Sequence, residues 1–160
     1  MKPLFSNIVT AVTGTDASIL AAKYAIVMAK TYHCKLTAVY VVDTATIKQL
    51  TMSKIFIQEE AAEYEKSLEN NGHRYLGFVE ELAHAKGVKI EKIMRKGAIY
   101  TEILHAADEK NADLILLGGW EKDTRSRDII GHSHREIMAN AKCSVILVKE
   151  PNIDQIYKHV

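Results

Sequence analysis

The chain has 160 residues, of which 48% are hydrophobic and 26% charged, and its formal net charge is +1. This length and composition suit a single globular domain with its own apolar core. The near-neutral charge argues against nucleic acid as a partner, because such partners attract proteins with a clear surplus of lysine and arginine.

The cysteines and the hydropathy pattern indicate an intracellular protein. Cys34 and Cys143 are far apart in sequence and form no CxxC or Cys/His zinc spacing, so we expect buried, inert thiols in a reducing cytoplasm. No segment approaches the roughly 20 apolar residues that cross a bilayer. We therefore expect neither a signal peptide nor a membrane partner.

The chain begins with an alternation of strand and helix. An apolar segment over residues 7–12 predicts the first strand. A helix follows, capped by Asp16 or Ser18 and running to about Tyr32, with small and aliphatic residues on one face. Residues 35–42 predict the second strand.

The middle of the sequence is dominated by one long polar helix. Residues 44–54 are the loosest linker, and the helix covers about residues 55–86. The Asn-Asn-Gly sequence at residues 70–72 is a point where this helix can kink or break. Gly87 supplies a left-handed stop at its end.

The second half repeats the alternation with shorter elements. Strands are predicted over residues 88–95, 113–118 and 144–149, and helices over residues 98–110 and 133–141. The last two strands are continuous apolar runs, which is typical of strands covered on both faces. A strand–helix alternation of this kind predicts an α/β fold with a parallel sheet and right-handed crossovers.

The predicted domain covers residues 1–150, and residues 151–160 form a tail that is either mobile or packed on a partner. In an open parallel sheet, ligands bind at the carboxyl ends of the strands where the winding direction reverses. Two connections therefore matter most, residues 13–18 after the first strand and residues 118–133 after the fourth.

Four segments together resemble the universal stress protein family, and they span nearly the whole sequence. They are the first strand with its Thr13-Gly14-Thr15-Asp16-Ala17-Ser18 turn, the second strand over residues 37–43, the fourth strand over residues 112–118, and residues 131–148, which end in Ala-Lys-Cys-Ser-Val-Ile-Leu-Val. The resemblance implies an open five-stranded Rossmann-like parallel sheet of order 3-2-1-4-5, with helices on both faces.

Nucleotide-binding members of that family carry a Gly-x2-Gly-x9-Gly-Ser/Thr motif after the fourth strand. Gly118 and Gly131 fit its first and third glycines, whereas Glu121 stands at the second and His132 replaces the Ser/Thr, with Ser133 following. Glycines allow close approach of phosphates, and amides at a helix N-terminus favour negative charge. A carboxylate at Glu121 would oppose a phosphate.

The resemblance implies ATP or AMP as the ligand and leaves Mg²⁺ undecided. Thr13 stands where the family has an acidic residue at the end of the first strand. The residues implied to meet the nucleoside are Thr13, Gly14, Thr15 and Val41, the last through its backbone, and those implied to meet the phosphates are Gly118, Gly119, Arg127, Gly131, His132 and Ser133. Trp120 is either a stacking surface or a local packing residue.

Three functions are compatible with these observations. The first is an adenine-nucleotide-binding regulatory module of the stress response, not an enzyme, acting on a regulatory protein and forming a homodimer through its last strand. The second is a nucleotide-free dimeric adaptor of the same fold. The third, a slow ATPase or nucleotidyl transferase, is disfavoured because no base, nucleophile and orienting residue can be assigned together. A metal site at His132 and His134 is also disfavoured, since no third ligand is evident.

Overall fold

A computed structural model describes residues 2–119 and 124–160, except for the side chains of residues 124–130. Its strands are β1 Asn7–Val12, β2 Lys35–Asp43, β3 Ile90–Gly97, β4 Leu114–Gly118 and β5 Ser144–Val148. Within the described ranges its helices are α1 Asp16–Tyr32, α2 Thr44–Met52, α3 Gln58–His84, α4 Ile99–Glu109, α5 Thr124–Asn140 and α6 Ile153–His159.

The strands form one parallel sheet in the order β3-β2-β1-β4-β5, as predicted. Side chains alternate between the two faces of each strand. In β1, Ile8 packs in the cluster built by α1, and its neighbour Val9 packs in the cluster built by α4 and α5. Apolar side chains on both faces explain why the central strands are continuous apolar runs.

The segment predicted as a loose linker, residues 44–54, is instead mostly helix α2. Asp43 caps it: its carboxylate accepts hydrogen bonds from the Thr46 N–H at 3.0 Å and the Thr46 hydroxyl at 2.7 Å. Ile47 anchors the helix with only 6% of its surface exposed. The end of β2 therefore runs directly into a fixed helix.

Helix α3 runs through Gly72 without a break, because tertiary packing overrides the local turn signal. A Cβ on Gly72 would lie 2.5 Å from a Tyr40 ring carbon and 2.6 Å from the Met94 methyl. The glycine thus lets α3 lie directly on β2 and β3. Gly87 has the predicted left-handed conformation, with φ of 71°, although α3 itself ends at His84.

The N-cap of α1 is Thr15, not Asp16 or Ser18 as predicted. The Thr15 hydroxyl accepts a hydrogen bond from the Ser18 N–H at 3.1 Å. Asp16 instead occupies the first turn, where a carboxylate interacts favourably with the helix dipole.

The second half contains three further differences from the predicted boundaries. Strand β3 begins at Ile90 rather than at residue 88, and α5 begins at Thr124 rather than at residue 133. Residues 153–159 form α6, which packs on α1. Three interactions hold α6 in place. Ile153 is buried, with 2% of its surface exposed, and the Tyr157 hydroxyl donates a hydrogen bond to the Leu82 carbonyl at 2.7 Å. Lys23 of α1 forms an ion pair with Asp154 at 2.6 Å.

Candidate functional site at the carboxyl edge of the sheet

Two cavities lie side by side where the central strands end, and Thr13 lines both of them. The larger lies beyond β1 and β2, and the smaller lies between β1 and β4. We call them the β1–β2 pocket and the β1–β4 crevice. The crevice lies at the switch point between β1 and β4, where the sheet reverses its winding and where α/β sheets of this type bind ligands. The pocket lies beside it, at the carboxyl ends of β1 and β2.

The β1–β2 pocket has a volume of about 180 Å³ and a mainly apolar and aromatic wall. Strands β1 and β2, helices α2 and α3 and the start of α4 supply its lining, which consists of Val12, Thr13, Tyr40, Val41, Asp43, Thr46, Tyr64, Leu68, Ile99 and Ile103. Small-molecule sites have this character, with a few polar groups set in an apolar wall.

Strand β2 extends beyond β1 at this pocket. The β1–β2 register ends at the pair Val12–Tyr40, whereas β2 continues to Asp43 beside β3. On the side that faces β1, the β2 backbone at Val41 therefore has no strand residue opposite it. A backbone group that points to this side must find another hydrogen-bond partner, which water or a ligand can provide.

Polar side chains are grouped on one wall of the pocket. Asp43 and Thr46 lie there, already joined by the two hydrogen bonds of the α2 cap. Tyr40 also lines the pocket and is 6% exposed, and burial, with the nearby Tyr75 and Tyr64, raises the pKa of its hydroxyl. Tyr40 is therefore a neutral phenol at physiological pH.

The turn from β1 into α1 is held in place by Gly14 and the ring of Tyr75. Gly14 has a φ of 82°, a conformation that side-chain-bearing residues rarely adopt. A Cβ at Gly14 would lie only 2.3 Å from the Tyr75 ring. This contact fixes the backbone that leads to Thr13, the residue shared by the two cavities.

The β1–β4 crevice has a volume of only about 10 Å³, enough for about one water molecule. The polar groups around it are bonded to one another. The Ser18 hydroxyl donates to the Thr15 carbonyl at 3.0 Å and accepts from the Thr13 N–H at 3.1 Å. The crevice is thus a closed seam between the β1–α1 turn and the end of β4.

Gly118 and Gly119 form the β4 side of the seam through close backbone contacts. A Cβ on Gly118 would lie 2.7 Å from the Ala17 carbonyl carbon and 2.9 Å from the Ser18 nitrogen. A Cβ on Gly119 would lie 2.8 Å from the Val148 oxygen. A glycine is therefore required at each of these two positions because another backbone segment packs directly against it.

His134 closes the crevice from the α5 side. Its Nε2–H donates a hydrogen bond to the Gly118 carbonyl oxygen at 2.7 Å, and the residue is 6% exposed. Burial lowers the pKa of the imidazole, and the bond to Gly118 opposes this effect in part. The ring is neutral near pH 7 and carries no positive charge toward the crevice.

The structure brings some of the predicted site residues together. Thr13 and Val41 line the β1–β2 pocket, and Thr13, Thr15, Gly118 and Gly119 line the β1–β4 crevice. Gly14 shapes the turn between them without lining either cavity. The side chain of Arg127, and residues Trp120 and Glu121, lie outside the described residues.

The predicted residues on α5 have a different setting from the one expected. Gly131 was expected at a helix entry, but α5 begins at Thr124, so Gly131 is buried within the helix and its N–H belongs to the helical ladder. His132 is exposed and contacts the Tyr100 ring edge-on at 5.8 Å, while Ser133 is 8% exposed. His132 and His134 therefore have different neighbours, Tyr100 and Gly118.

The sequence analysis missed several lining residues, including Asp43 and Thr46 as polar groups and Tyr64 as an aromatic wall. An Asp-x-x-Thr cap after a strand end was a usable signal for the first two. His134 had no such signal, because its contact with Gly118 depends on how α5 packs against β4.

Other features of the described residues lie away from this edge. A groove of about 970 Å³ lies at the opposite, amino edge of the sheet, among the ends of α1, α3 and α4. In the described ranges no three His, Cys, Asp or Glu side chains are placed to hold a metal ion, and no helix there has the length and apolarity to span a membrane. Burial raises the pKa of both thiols, Cys34 and Cys143.

A five-stranded parallel sheet of this order, with a pocket at the carboxyl ends of its strands, defines an open α/β protein of the Rossmann-like class. The universal stress protein family matches residues 4–149, and the chain belongs to that family. Universal stress protein MJ0531 of Methanocaldococcus jannaschii is 34% identical over 148 residues, covering 92% of this chain and 84% of the relative.

Solved structures of the same family share the fold at lower sequence identity. A universal stress protein in complex with cAMP superimposes with a TM-score of 0.65 at 20% identity, over 92% of this chain and 99% of the other. The universal stress protein from Archaeoglobus fulgidus in complex with dAMP has a TM-score of 0.60 at 18% identity, over 92% of this chain and 100% of the other.

Proposed function

We propose that the protein is an adenine-nucleotide-binding regulatory module of the stress response, working in the cytoplasm, and that the β1–β2 pocket holds the nucleoside. One observation carries this proposal. Beyond Tyr40, the part of β2 that has no β1 residue opposite it meets an aromatic and aliphatic cavity at the carboxyl edge of the sheet, beside its switch point.

The chemistry of the pocket suits an adenine ring. Adenine presents an amino donor next to ring-nitrogen acceptors, and a strand edge offers backbone carbonyl and amide groups to match them. The apolar walls from Ile99 and Ile103 cover the faces of a planar base, and Tyr64 offers an aromatic surface. Stacking of a base on an aromatic side chain is worth roughly 1–3 kcal/mol.

Asp43 is the residue we assign to the ribose hydroxyls. Carboxylates commonly bind the ribose in this class of fold. The family's acid at the end of β1 is Thr13 here, and Asp43 is the carboxylate that lines the described pocket. Its two oxygens accept from Thr46 and retain lone pairs for a further donor.

The solved relatives support an adenine nucleotide as the ligand. The two family structures compared above hold cAMP and dAMP, which share the adenine base. We propose binding rather than turnover, because the hydroxyl–carboxylate pair in the described lining, Thr46 with Asp43, is committed to the cap of α2. The protein with its nucleotide bound would then act on a regulatory protein partner.

Isothermal titration calorimetry with AMP and GMP tests this proposal. We expect saturable AMP binding with a dissociation constant below about 1 mM, equivalent to about −4 kcal/mol. GMP should bind more weakly, because guanine places a carbonyl where adenine has its amino donor. Absence of saturable AMP binding, or equal affinity for both nucleotides, would contradict an adenine site.

A second candidate function is a nucleotide-free dimeric adaptor, and the narrow β1–β4 crevice favours it, whereas a homodimer through strand β5 is common to both candidates. This strand is the edge of the sheet beyond β4, and its residues Val145, Ile146 and Leu147 are only partly buried. Pairing of this edge across a two-fold axis would cover them. Light scattering at the exit of a size-exclusion column should give twice the 17.9 kDa mass of the protein for a homodimer.

A further inference from the structure

The groove at the amino edge of the sheet, which we call the amino-edge groove, combines an apolar floor with a basic rim. Its volume of about 970 Å³ lies near the upper end of the roughly 300–1,000 Å³ of typical binding sites. Buried aliphatic side chains form the floor: Ile8, Ala29, Leu36 and Val88. Lysines from several elements surround them: Lys30, Lys35, Lys86, Lys89 and Lys110. The groove therefore offers apolar contact and positive charge together.

The carboxylates that line the groove are already paired, whereas three of its lysines are not. Glu91 forms an ion pair with Lys110 at 2.6 Å, and Glu109 forms one with Arg95 at 2.9 Å. The lysines whose ammonium groups have no hydrogen bond or ion pair with any described residue are Lys30, Lys35 and Lys89. All three are exposed. The lining thus carries three positive charges that no described carboxylate compensates.

Two of these lysines, Lys35 and Lys89, lie side by side at the starts of neighbouring strands. Each directly precedes a residue of the first pair in the β2–β3 register, Leu36 with Ile90. Neighbouring strands are about 4.8 Å apart, and like charges at facing positions of a sheet are destabilising. Lys30, in the last turn of α1, interacts favourably with the helix dipole, but neither of the other two lies in a helix. An anion bound between them would remove their repulsion.

The groove suits an acidic peptide better than a nucleic acid. Proteins that bind single-stranded nucleic acids stack the bases on aromatic side chains, and no Phe, Tyr or Trp is among the described residues that line this groove. The formal net charge of +1 also gives little general attraction for a polyanion. A peptide that alternates carboxylates with aliphatic side chains complements both the basic rim and the apolar floor.

We infer that the amino-edge groove is a docking site for an acidic peptide segment of a protein partner. Carboxylates of the segment bind Lys30, Lys35 and Lys89, and its aliphatic side chains pack on the floor. The inference goes beyond nucleotide binding and does not depend on it, because the groove and the β1–β2 pocket lie at opposite edges of the sheet and share no described lining residue.

Fluorescence anisotropy with a labelled peptide of alternating glutamate and leucine residues gives the first test. We expect saturable binding that weakens as the salt concentration rises, because salt screens exposed charges. A peptide of the same length with glutamine in place of glutamate should bind at least about tenfold more weakly, equivalent to about 1.4 kcal/mol. Equal binding of the two peptides, no saturable binding of the acidic one, or tighter binding of a thymidine oligonucleotide of equal charge would overturn the inference.

Replacement of the three unpaired lysines gives the second test. The groove variant combines Lys30→Gln, Lys35→Gln and Lys89→Gln. It should bind the acidic peptide at least about tenfold more weakly, equivalent to about 1.4 kcal/mol. The matched control removes the same total charge from exposed lysines that do not line the groove, and it combines Lys48→Gln, Lys54→Gln and Lys66→Gln. It should change the affinity by less than about twofold. An equal loss in both variants would mean that affinity follows net charge, and it would overturn the groove as the docking site.

Titration of the groove variant with AMP separates this inference from the proposed function. AMP affinity should equal that of the unmodified protein, because the β1–β2 pocket is intact in this variant. Peptide binding that is lost only in the groove variant supports the docking site whether or not AMP binds. Absence of AMP binding to the unmodified protein would overturn the proposed function alone, and peptide binding that the groove variant retains would overturn the docking site alone.

Discussion

The β1–β2 pocket and the β1–β4 crevice lie at the same edge of the same sheet and share Thr13, yet their volumes are about 180 and about 10 Å³. The pocket stays open because β2 extends three residues beyond the end of the β1–β2 register and then continues directly into the capped helix α2. The crevice is closed because Gly118 touches the start of α1 and His134 covers the gap.

The difference shows that a switch point creates a location for a ligand but not its shape. Strand order brings the ends of β1, β2 and β4 together. Whether space remains there depends on strand length, on glycine contacts and on the side chains of the following helices. In this protein those details leave a pocket beyond β1 and β2 and only a narrow crevice between β1 and β4.

The largest expected effect comes from blocking the pocket at its shared residue. Thr13→Trp should lower AMP affinity by at least about 100-fold, or about 2.7 kcal/mol, because an indole at this exposed position occupies the mouth of the pocket. Titration calorimetry measures the loss. Thr13→Ser should retain most of the affinity, and Tyr32→Trp, an exposed site at the opposite edge, should retain all of it. Unchanged binding by Thr13→Trp would place the ligand elsewhere.

The next effect tests the close contact that narrows the crevice. Gly118→Ala should lower the free energy of unfolding by about 1–3 kcal/mol, because the new methyl group collides with the Ala17 and Ser18 backbone. Gly77→Ala is the matched control: it is also a glycine replacement, but its Cβ has no neighbour within 4 Å. That control should be neutral or stabilising by about 0.5–1 kcal/mol, because alanine favours a helix interior. Urea unfolding of both variants measures the contrast, and equal effects would argue against the backbone contact.

A smaller effect is expected from the cap that holds the β1–α1 turn. Thr15→Ala should cost about 1 kcal/mol of stability, because the Ser18 N–H loses its acceptor. Thr15→Ser keeps a hydroxyl and should recover most of this loss. Chemical unfolding of the two variants provides the comparison, and a destabilisation by serine as large as that by alanine would mean that the hydroxyl is not the cause.

The smallest effect concerns pH. Burial lowers the folded-state pKa of His134 below its ordinary value of 6.5, so the unfolded protein binds the proton more readily. The stability contributed by the neutral ring is complete above about pH 6.5 and is lost as the pH falls below it toward the folded-state pKa. Between about pH 7.5 and 5.5, the unmodified protein should lose more stability than His134→Asn, which does not titrate. Parallel stability curves for the two proteins would contradict a neutral, buried ring.

The fold could be predicted from the sequence because its signals are local and repeated. Continuous apolar runs such as β4 and β5 mark strands covered on both faces, and their alternation with helices leaves few arrangements. The linker assigned to residues 44–54 was wrong, because a short helix with one buried anchor, Ile47, has a weak periodic signal. The break expected at Gly72 was also wrong, because the missing side chain of this glycine lets helix α3 pack closely on β2 and β3.

The candidate site could be predicted only where the order of elements alone places a residue at a strand end. Thr13 and Gly118 are of this kind, whereas Val41 was implied by the family resemblance, and all three lie at the carboxyl edge. His134 is different, because its position against Gly118 depends on where α5 starts and how it packs. Motif spacing placed Gly131 at a helix entry, and the longer α5 places it inside the helix instead.

Chemical-shift mapping of the ¹⁵N-labelled protein during titration with AMP tests the location of the site most directly. The largest amide shifts should fall on Thr13, Val41, Asp43 and Thr46, which line the β1–β2 pocket. The amides of Lys35, Val88 and Lys110, which line the larger groove at the amino edge, should stay unchanged. Shifts centred on the amino-edge groove, or no saturable shifts at all, would contradict the account.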